Sequence, residues 1–233
     1  MPTHIYTNWN VRSSDSQEQI EPYRKYFFIC EGAKTEPSYF KKLIGMRKQL
    51  GIHPMIDLRL MEKTGADQNL SYPKQLLKFA EEQKMLESLN FDAEHDKMVI
   101  VFDADIFENK VDGYDELISE AHAKNNIVGV TNPGFEVFLI LHCSDSYVNH
   151  IKGKEAEFFE CDERGRLRYP YEVLRGLTGM NSKTNGKIGE LACNIQNAIK
   201  QEKFINQDVH NVKGNVSSNI GAIIEMIIND DGK

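Results

Sequence analysis

Residues 98–106 read MVIVFDADI, a short apolar run that ends in two aspartates. An apolar run of this length, rich in β-branched and aromatic residues, is typical of a strand buried on both faces. Asp103 and Asp105 come where the strand should stop, and in open α/β sheets ligands collect at the carboxyl ends of strands. Two carboxylates at this spacing can both reach one hard cation through oxygen. The stretch therefore predicts a central strand with a candidate cation site at its end.

Around this strand, predicted strands and helices alternate through residues 23–142. The alternation predicts an α/β core with a mainly parallel sheet and helices on both faces. We favour a helix for the apolar segment FEVFLILH, with a strand as the alternative, and Thr35 is a candidate N-cap. The predicted strands cover 24–31, 54–61, 98–105 and 127–131, and the predicted helices cover 35–50, 72–89, 111–124 and 135–142.

The two ends of the chain have a different character. Residues 1–22 lack periodicity and are rich in polar residues, which predicts a flexible arm. A C-terminal portion, 143–233, is expected to pack on the core. It begins with a polar, irregular stretch that holds one short helix near 171–177. Two further helices are expected at 186–203 and 217–228, the second capped by Ser217 or Ser218.

Composition limits the range of functions. The formal net charge of −7 argues against nucleic-acid binding over the whole surface but permits a local basic patch. No apolar run approaches the roughly 18 residues of a transmembrane helix, and no signal peptide is recognisable. None of the four cysteines are spaced as CxxC, so no zinc site is expected, and Cys30 and Cys143 are predicted core thiols. We expect a soluble cytoplasmic protein without membrane contact.

Glu31 ends the first predicted strand, just before Gly32. If this strand neighbours the 98–105 strand, the carboxylates of Glu31, Asp103 and Asp105 converge at one edge of the sheet. A strand-end Glu-Gly followed by a later strand-end Asp-x-Asp is the signature of the Toprim fold.

Three longer stretches carry a more specific resemblance: FFICEGAKTEPSYFKKL, VFDADIF and NPGFEVFLILH. Over about residues 25–230 the chain resembles the RloB-like (AbiLii-like) family. The resemblance implies a Toprim-like fold and a Mg²⁺-dependent phosphodiesterase, with Mn²⁺ as the alternative cation. It also implies a component of a phage-defence or abortive-infection system that works with an ATPase of the AAA or ABC type. The implied substrate is RNA or DNA, with tRNA suggested only by analogy.

The acidic residues are assigned roles on chemical grounds. A divalent cation held by carboxylates neutralises a phosphodiester and lowers the pKa of bound water. Asp103 and Asp105 are the predicted metal ligands, and Glu31 is a further ligand or the general acid/base. Glu136, an acid inside an apolar run, is a fourth candidate ligand, with burial against a lysine or arginine as the alternative. Glu36 fits an ordinary charge in a first helical turn.

The stretch 164–187 is basic in an otherwise acidic chain. It suits contact with nucleic acid through phosphates and base stacking, or alternatively forms a solvated loop that balances the acidic residues of 155–163. Lys34 could meet a phosphate or solvent, and His142 is expected to be a core or surface histidine rather than a base. The residues that the stretch offers are Arg164, Arg166, Arg168, Arg175, Lys183 and Lys187, with Tyr169 and Tyr171 between them.

The leading hypothesis is a metal-dependent nuclease. A topoisomerase would need a nucleophilic tyrosine and a strand-passage gate, for which the chain is short, and a nucleotidyl transferase would need nucleotide-binding motifs that we do not find. The alternative from another class is a non-catalytic regulatory or nucleotide-binding subunit of the ATPase complex. The sequence leaves a homo-oligomer open.

Overall fold

The computed structural model of the protein describes residues 4–8, 21–63, 72–109, 111–164 and 166–232. Within these residues one sheet is built from β1 (His4–Thr7), β2 (Arg24–Cys30), β3 (Ile56–Glu62), β4 (Lys97–Asp103), β5 (Ile127–Asn132) and β6 (Ser217–Ser218). The strand order is β1-β3-β2-β4-β5-β6. The four inner strands run parallel, and the two edge strands are antiparallel to their neighbours.

Helices cover both faces of this sheet. They are α1 (Thr35–Gly45), α2 (Pro73–Lys84), α3 (Asp105–Asn109), α4 (Tyr114–Ala123), α5 (Glu136–Ile140), α6 (Tyr169–Thr178), α7 (Ile195–Glu202) and α8 (Ile220–Ile228). Shorter 3₁₀ segments lie at Glu87–Leu89, Glu155–Phe159 and Gly186–Asn194, and a π turn lies at Tyr147–Ile151. The predicted α/β class, with a mainly parallel sheet and C-terminal helices, is confirmed.

Strand β4 is buried on both faces, as its sequence predicts. Val99 and Val101 belong to the apolar cluster that includes α1, α5 and α8. Met98, Ile100 and Phe102 belong to the cluster on the opposite face, which includes α2 and α4. Because side chains alternate along a strand, a continuous apolar run can fill two cores at once.

Several helix predictions were wrong in their extent. The helix expected to reach residue 50 ends at Gly45, and the one expected over 72–89 ends at Lys84 before the 3₁₀ segment. The predicted 186–203 helix begins as 3₁₀ and becomes α-helical at Ile195. These patterns continue apolar periodicity past the point where the backbone turns, so periodicity alone overestimates length. For FEVFLILH the helix was the correct alternative.

Capping and the N-terminal segment also differ from the predictions. Lys34 is the N-cap of α1, while the Thr35 hydroxyl donates to the carbonyl of Ser182 at 2.9 Å. Ser217 and Ser218 form strand β6, and Asn219 precedes the last helix as its N-cap. Residues 4–7, predicted within a flexible arm, form strand β1 and pair with β3. The remainder of that arm at 1–3 and 9–20, and the loop expected after residue 63, lie outside the described residues.

The C-terminal portion shares the sheet and one apolar core with the preceding residues. Strand β6 pairs with β5 at Thr131 and Asn132. The cluster that contains Tyr26 extends to Ile227. Among the described residues, none of the helices combines the length and the apolar character needed to cross a membrane.

Candidate active site

Glu31 and Asp103 meet because their strands are neighbours. Strands β2 and β4 pair in parallel with Cys30 opposite Val101, so Glu31 follows one strand where Asp103 ends the other. The Asp103 backbone N–H donates a hydrogen bond to Glu31 Oε2 at 3.0 Å. The predicted convergence of these two residues at the carboxyl end of the sheet is therefore observed.

Two more glutamates join them, each beside a glycine. Glu36 accepts a hydrogen bond from the Gly32 N–H at 3.2 Å, and a Cβ on Gly32 would lie 2.1 Å from Glu36 Oε2. A Cβ on Gly134 would lie 3.2 Å from Glu136 Oε2 and 3.7 Å from Asp103 Oδ2. The glycines thus leave the space in which these carboxylates come together: a side chain at Gly32 would displace Glu36, and one at Gly134 would crowd Glu136.

Burial and mutual repulsion favour the protonated forms of this group. Burial holds the pKa of Asp103 well above its usual range, and the charges of Glu36 and Glu136 raise it further. Burial also raises the pKa of Glu36 and of Glu136. Burial raises the pKa of Glu31 to about 7, helped by the charges of Asp105 and Glu36 and opposed by the Asp103 N–H. Four carboxylates therefore lie close together with too little positive charge nearby to keep all of them ionised.

Hydrogen-bond donors and one lysine offset part of that repulsion. The Thr131 hydroxyl donates to Asp103 Oδ1 at 2.5 Å, and the Ser182 hydroxyl donates to Glu136 Oε1 at 2.6 Å. Lys63, at the end of β3, donates to the Glu31 carbonyl, and its charge lowers the pKa of Glu31 and of Glu36. Asp105 begins α3 and is partly buried. We call Glu31, Glu36, Asp103, Asp105 and Glu136 the carboxylate cluster.

The carboxylate cluster suits a hard divalent cation by its chemistry. All its side-chain donors are carboxylate oxygens, and its surplus of negative charge is the condition that Mg²⁺ or Mn²⁺ would relieve. Within the described residues, however, no three His, Cys, Asp or Glu side chains are already arranged as a metal site. Mg²⁺ keeps several waters and takes one or two carboxylates directly, so two side chains with water-mediated neighbours satisfy its coordination.

Two clefts open beside the cluster. The acid cleft, of about 440 Å³, is lined by Gly32, Ala33, Lys34, Thr35, Glu36, Asp103, Phe135, Glu136, Tyr171 and Lys183. The arginine cleft, of about 700 Å³, is lined by Asp105, Asp162, Arg166, Leu167, Arg168, Tyr171, Glu172, Asn181 and Lys183. Tyr171 and Lys183 line both, so the two clefts join at these residues.

The basic stretch is less positive than its sequence indicates. Both Nε and Nη2 of Arg166 donate to Asp162 Oδ2, at 2.9 and 2.7 Å, and Arg168 Nε donates to Glu172 at 2.6 Å. Asp105, Asp162 and Glu172 balance Arg166, Arg168 and Lys183 in the lining. Asp162 and Glu172 lie close to their arginines along the turn or helix. A count of charges over residues 164–187 does not show this pairing.

Other predicted contact residues fall in different places. Lys34 is exposed at the acid cleft. Arg164 and Lys187 are exposed and are not among the described residues that line the acid or arginine clefts. Arg175 lines a neighbouring cleft of about 500 Å³ that shares Asn181 with the arginine cleft.

Tyr169 and His142 make structural contacts. The Tyr169 hydroxyl donates to the His150 carbonyl at 3.0 Å, and its ring packs edge-on against Phe158 at 5.1 Å, while its role in base stacking stays a prediction. His142 is fully buried, its ring nitrogens 2.9 Å from the Tyr39 hydroxyl and from the Phe138 carbonyl. Burial lowers the pKa of His142 to about 4, which confirms the expected core histidine.

Sequence reasoning missed Ser182 and Lys63, and it offered Tyr171 only for base stacking. Tyr171, Ser182 and Lys63 reach the cluster from α6, from the loop after it and from the end of β3. The only signal available was negative: Glu136, an acid in an apolar run, needed partners that the sequence could not name.

Comparison with known proteins gives the family. Residues 26–227 match the family described as RloB-like protein, so the fold and the carboxylate cluster belong to an α/β protein of that class. The chain is a member of the RloB-like family. No curated protein and no solved structure matches it.

Proposed function

We propose that the protein is a metal-dependent phosphodiesterase that cleaves nucleic acid at the carboxylate cluster. The observation that carries the proposal is the meeting of Glu31, Glu36, Asp103 and Glu136 beneath a solvent-accessible cleft at the carboxyl ends of parallel strands. Stable folds do not bury mutually repelling acids without compensation, so such a group is a candidate for function.

The proposed roles follow from the surroundings of each residue. Asp103 and Glu136 would hold the cation, because an oxygen of each lies within 4 Å of the position that a Cβ on Gly134 would take. A bound cation neutralises the phosphate and lowers the pKa of its water. Glu31, whose pKa is raised to about 7, can accept a proton near neutral pH and release it again, which suits a general acid/base. Asp105 faces the arginine cleft and would act on the same cation through water.

The biological setting is proposed from family membership. The RloB-like resemblance supports an effector of phage defence or abortive infection, with an ATPase of the AAA or ABC type as the sensor. We propose RNA or DNA as the substrate, held by phosphate contacts at Arg166, Arg168 and Lys183. This assignment needs the carboxylate partners of the two arginines to give way to phosphates, which costs little because exposed ion pairs contribute only about 0–1 kcal/mol.

Cleavage assays test the proposal. The purified chain, alone and with an ATPase encoded beside its gene, is incubated with labelled single-stranded and duplex RNA and DNA in Mg²⁺ or Mn²⁺. We expect cleavage that chelation abolishes and that Asp103→Asn reduces about 10³-fold, since removing one ligand to the cation removes several kcal/mol of charge stabilisation. Asp112→Asn is the matched control. It changes an exposed acid between α3 and α4, and this variant should cut normally.

A second candidate is a non-catalytic subunit that binds a nucleotide or the ATPase through the same cleft. Among the described residues, no three potential ligand side chains are already arranged to hold a metal ion, which favours this second candidate. It predicts no cleavage with any cation, together with an ATPase complex that survives Asp103→Asn. Cleavage that continues undiminished in Asp103→Asn would contradict the site itself.

A further inference from the structure

The acid cleft and the arginine cleft meet at two side chains that the carboxylate chemistry does not use. Tyr171, in the first turn of α6, and Lys183, in the loop after that helix, line both clefts. Lys183 Nζ lies 4.8 Å from the centre of the Tyr171 ring, a cation–π distance. Any strand that runs from the arginines to the carboxylate cluster passes this pair.

An anionic phosphate needs donors to approach a group of carboxylates. The side chains in the acid cleft that can donate are Lys34, Thr35, Tyr171 and Lys183. The Thr35 hydroxyl is already committed to the Ser182 carbonyl at 2.9 Å, and Lys34 is exposed at the start of α1. Tyr171 and Lys183 are the donors that also reach the second cleft.

The Tyr171 hydroxyl remains a donor. A phenol keeps its proton at neutral pH, so its hydroxyl can donate a hydrogen bond. Tyr171 lines the acid cleft together with Glu36, Asp103 and Glu136, and its hydroxyl contacts Glu136. A phosphate oxygen that enters here can accept a hydrogen bond from this hydroxyl.

Ser182 fixes Lys183 relative to the cluster. Ser182 is buried, its hydroxyl donates to Glu136 at 2.6 Å, and its carbonyl accepts from Thr35. These two bonds attach the loop to α1 and to α5, although Lys183 itself is exposed. Lys183 therefore follows a residue that is fixed by buried hydrogen bonds, and its ammonium reaches the Tyr171 ring from a fixed backbone position rather than from a free loop.

We propose that the Tyr171 hydroxyl and the Lys183 ammonium form a phosphate-binding pair that holds the strand at the junction of the two clefts. This inference rests on the proposed nuclease function. It makes Tyr171 a contact residue for a non-bridging phosphate oxygen, rather than a platform for base stacking or a nucleophile.

The test compares Tyr171→Phe with Tyr169→Phe, which removes a hydroxyl from the same helix without touching either cleft. Binding of a short fluorescent single strand is measured in Ca²⁺, and cleavage in Mg²⁺. Tyr171→Phe should lower kcat/KM about 10-fold to 100-fold, the range for a hydrogen bond to a charged group. Tyr169→Phe should change it little. Lys183→Ala should weaken binding, and Lys183→Arg should restore most of it.

A neutral methylphosphonate linkage, moved along the strand, separates the outcomes. The proposal requires one position at which this linkage removes the difference in binding between wild type and Tyr171→Phe. Equal losses at all positions, or equal effects of Tyr169→Phe, would overturn it. A labelled strand covalently attached to Tyr171 would also overturn it, because the hydroxyl would then be a nucleophile. Binding is read without cleavage, so a chain that binds by this pair but cuts nothing contradicts the proposed function alone.

Discussion

Carboxylates are buried in two regions of this protein, and their surroundings are opposite. Glu202, at the end of α7, is fully buried and accepts hydrogen bonds from four donors. The donors are the Ser218 hydroxyl (2.5 Å), the Gly221 N–H (2.9 Å), the Ala222 N–H (2.8 Å) and the Gln207 amide (3.0 Å). Two of them are free N–H groups of the first turn of α8, so Glu202 satisfies a helix N-terminus.

The carboxylate cluster lacks such a set of donors. The Ser182 and Tyr171 hydroxyls are the side-chain donors that the structure describes for Glu136, and the Thr131 hydroxyl serves Asp103. Most other charges near these acids belong to further acids, and the cations are Lys63, which lowers the pKa of Glu36, and Lys183, which lowers the pKa of Glu136. A buried acid surrounded by donors stabilises a fold, whereas buried acids that face each other need a partner from outside the chain.

The largest expected difference between the regions is in stability. Glu202→Gln places an amide NH₂ against backbone N–H groups and leaves at least one buried donor unsatisfied, which should cost about 3 kcal/mol. Glu136→Gln removes one charge from a repelling group and meets hydroxyl donors that can rotate. Its effect on the free energy of unfolding should stay within about 0.5 kcal/mol or be stabilising. Urea unfolding in the presence of a chelator measures both.

Glu225→Gln, an exposed acid paired with Lys203, is the control for the loss of a carboxylate and should cost little. If Glu136→Gln proves as destabilising as Glu202→Gln, the carboxylates of both regions stabilise the fold in the same way, and the proposed cation site loses its main argument.

A divalent cation should stabilise one region alone. At a concentration about 100 times its Kd, a cation bound only to the folded state adds about 2.7 kcal/mol. We expect Mg²⁺ or Mn²⁺ to raise the stability of wild type and of Glu225→Gln by this order. The double variant Asp103→Asn with Glu136→Gln should not respond. Thermal unfolding at constant ionic strength measures the effect, and a response retained in the double variant would place the cation elsewhere.

The sequence indicates one part of the cluster and not the rest, for a physical reason. Glu31 and Asp103 follow apolar runs, and parallel strands necessarily bring such ends to one edge, so their meeting was predictable. Asp105 was predicted on the strand, but it begins α3 instead. Two residues after a strand, the backbone is free to turn, and no periodicity reports that turn.

Ser182 was beyond sequence reasoning because the loop that carries it has no repeating pattern, and the sequence could not show that Tyr171, on α6, lies beside the carboxylates. Their positions depend on bonds such as Thr35 to the Ser182 carbonyl, which joins residues 147 positions apart. The charge of 164–187 was misjudged for a related reason. A sum over residues does not show that Asp162 and Glu172 each fold back on an arginine four positions away.

Stability should depend on pH through Glu31. Its pKa rises from an ordinary value of 4.5 to about 7 in the folded protein, so between these values the folded state binds more protons than the unfolded state. The contribution of Glu31 to the stability without a cation should therefore be greatest below about pH 4.5 and decline as the pH rises to about 7. For this partly buried group we expect a loss of about 2 kcal/mol.

Glu31→Gln removes this titrating group, so the decline should be absent from the variant, and the wild type should lose about 2 kcal/mol relative to it across this window. The comparison isolates Glu31, since histidines and exposed acids titrate alike in both proteins. Urea unfolding at several pH values in a chelator measures the slope. A wild type that gains stability from pH 5 to pH 7 relative to Glu31→Gln would reverse the assigned direction of the pKa.

The smallest expected effect concerns the arginine cleft, where charges are paired in the manner of an ordinary surface. Each phosphate contact contributes roughly 0.7 to 0.9 to the slope of log K against log salt concentration. The double variant Arg166→Ala with Arg168→Ala should therefore reduce that slope by about 1 to 2. The loss of affinity should be modest, because each arginine gives up a carboxylate when it binds a phosphate.

Arg164→Ala, outside both clefts, should leave the slope unchanged, and Asp162→Asn should raise affinity by releasing Arg166. Binding of a fluorescent single strand at several salt concentrations measures all three. An equal loss in Arg164→Ala would mean that the strand does not follow the clefts, and the carboxylate cluster would then need another route for its substrate.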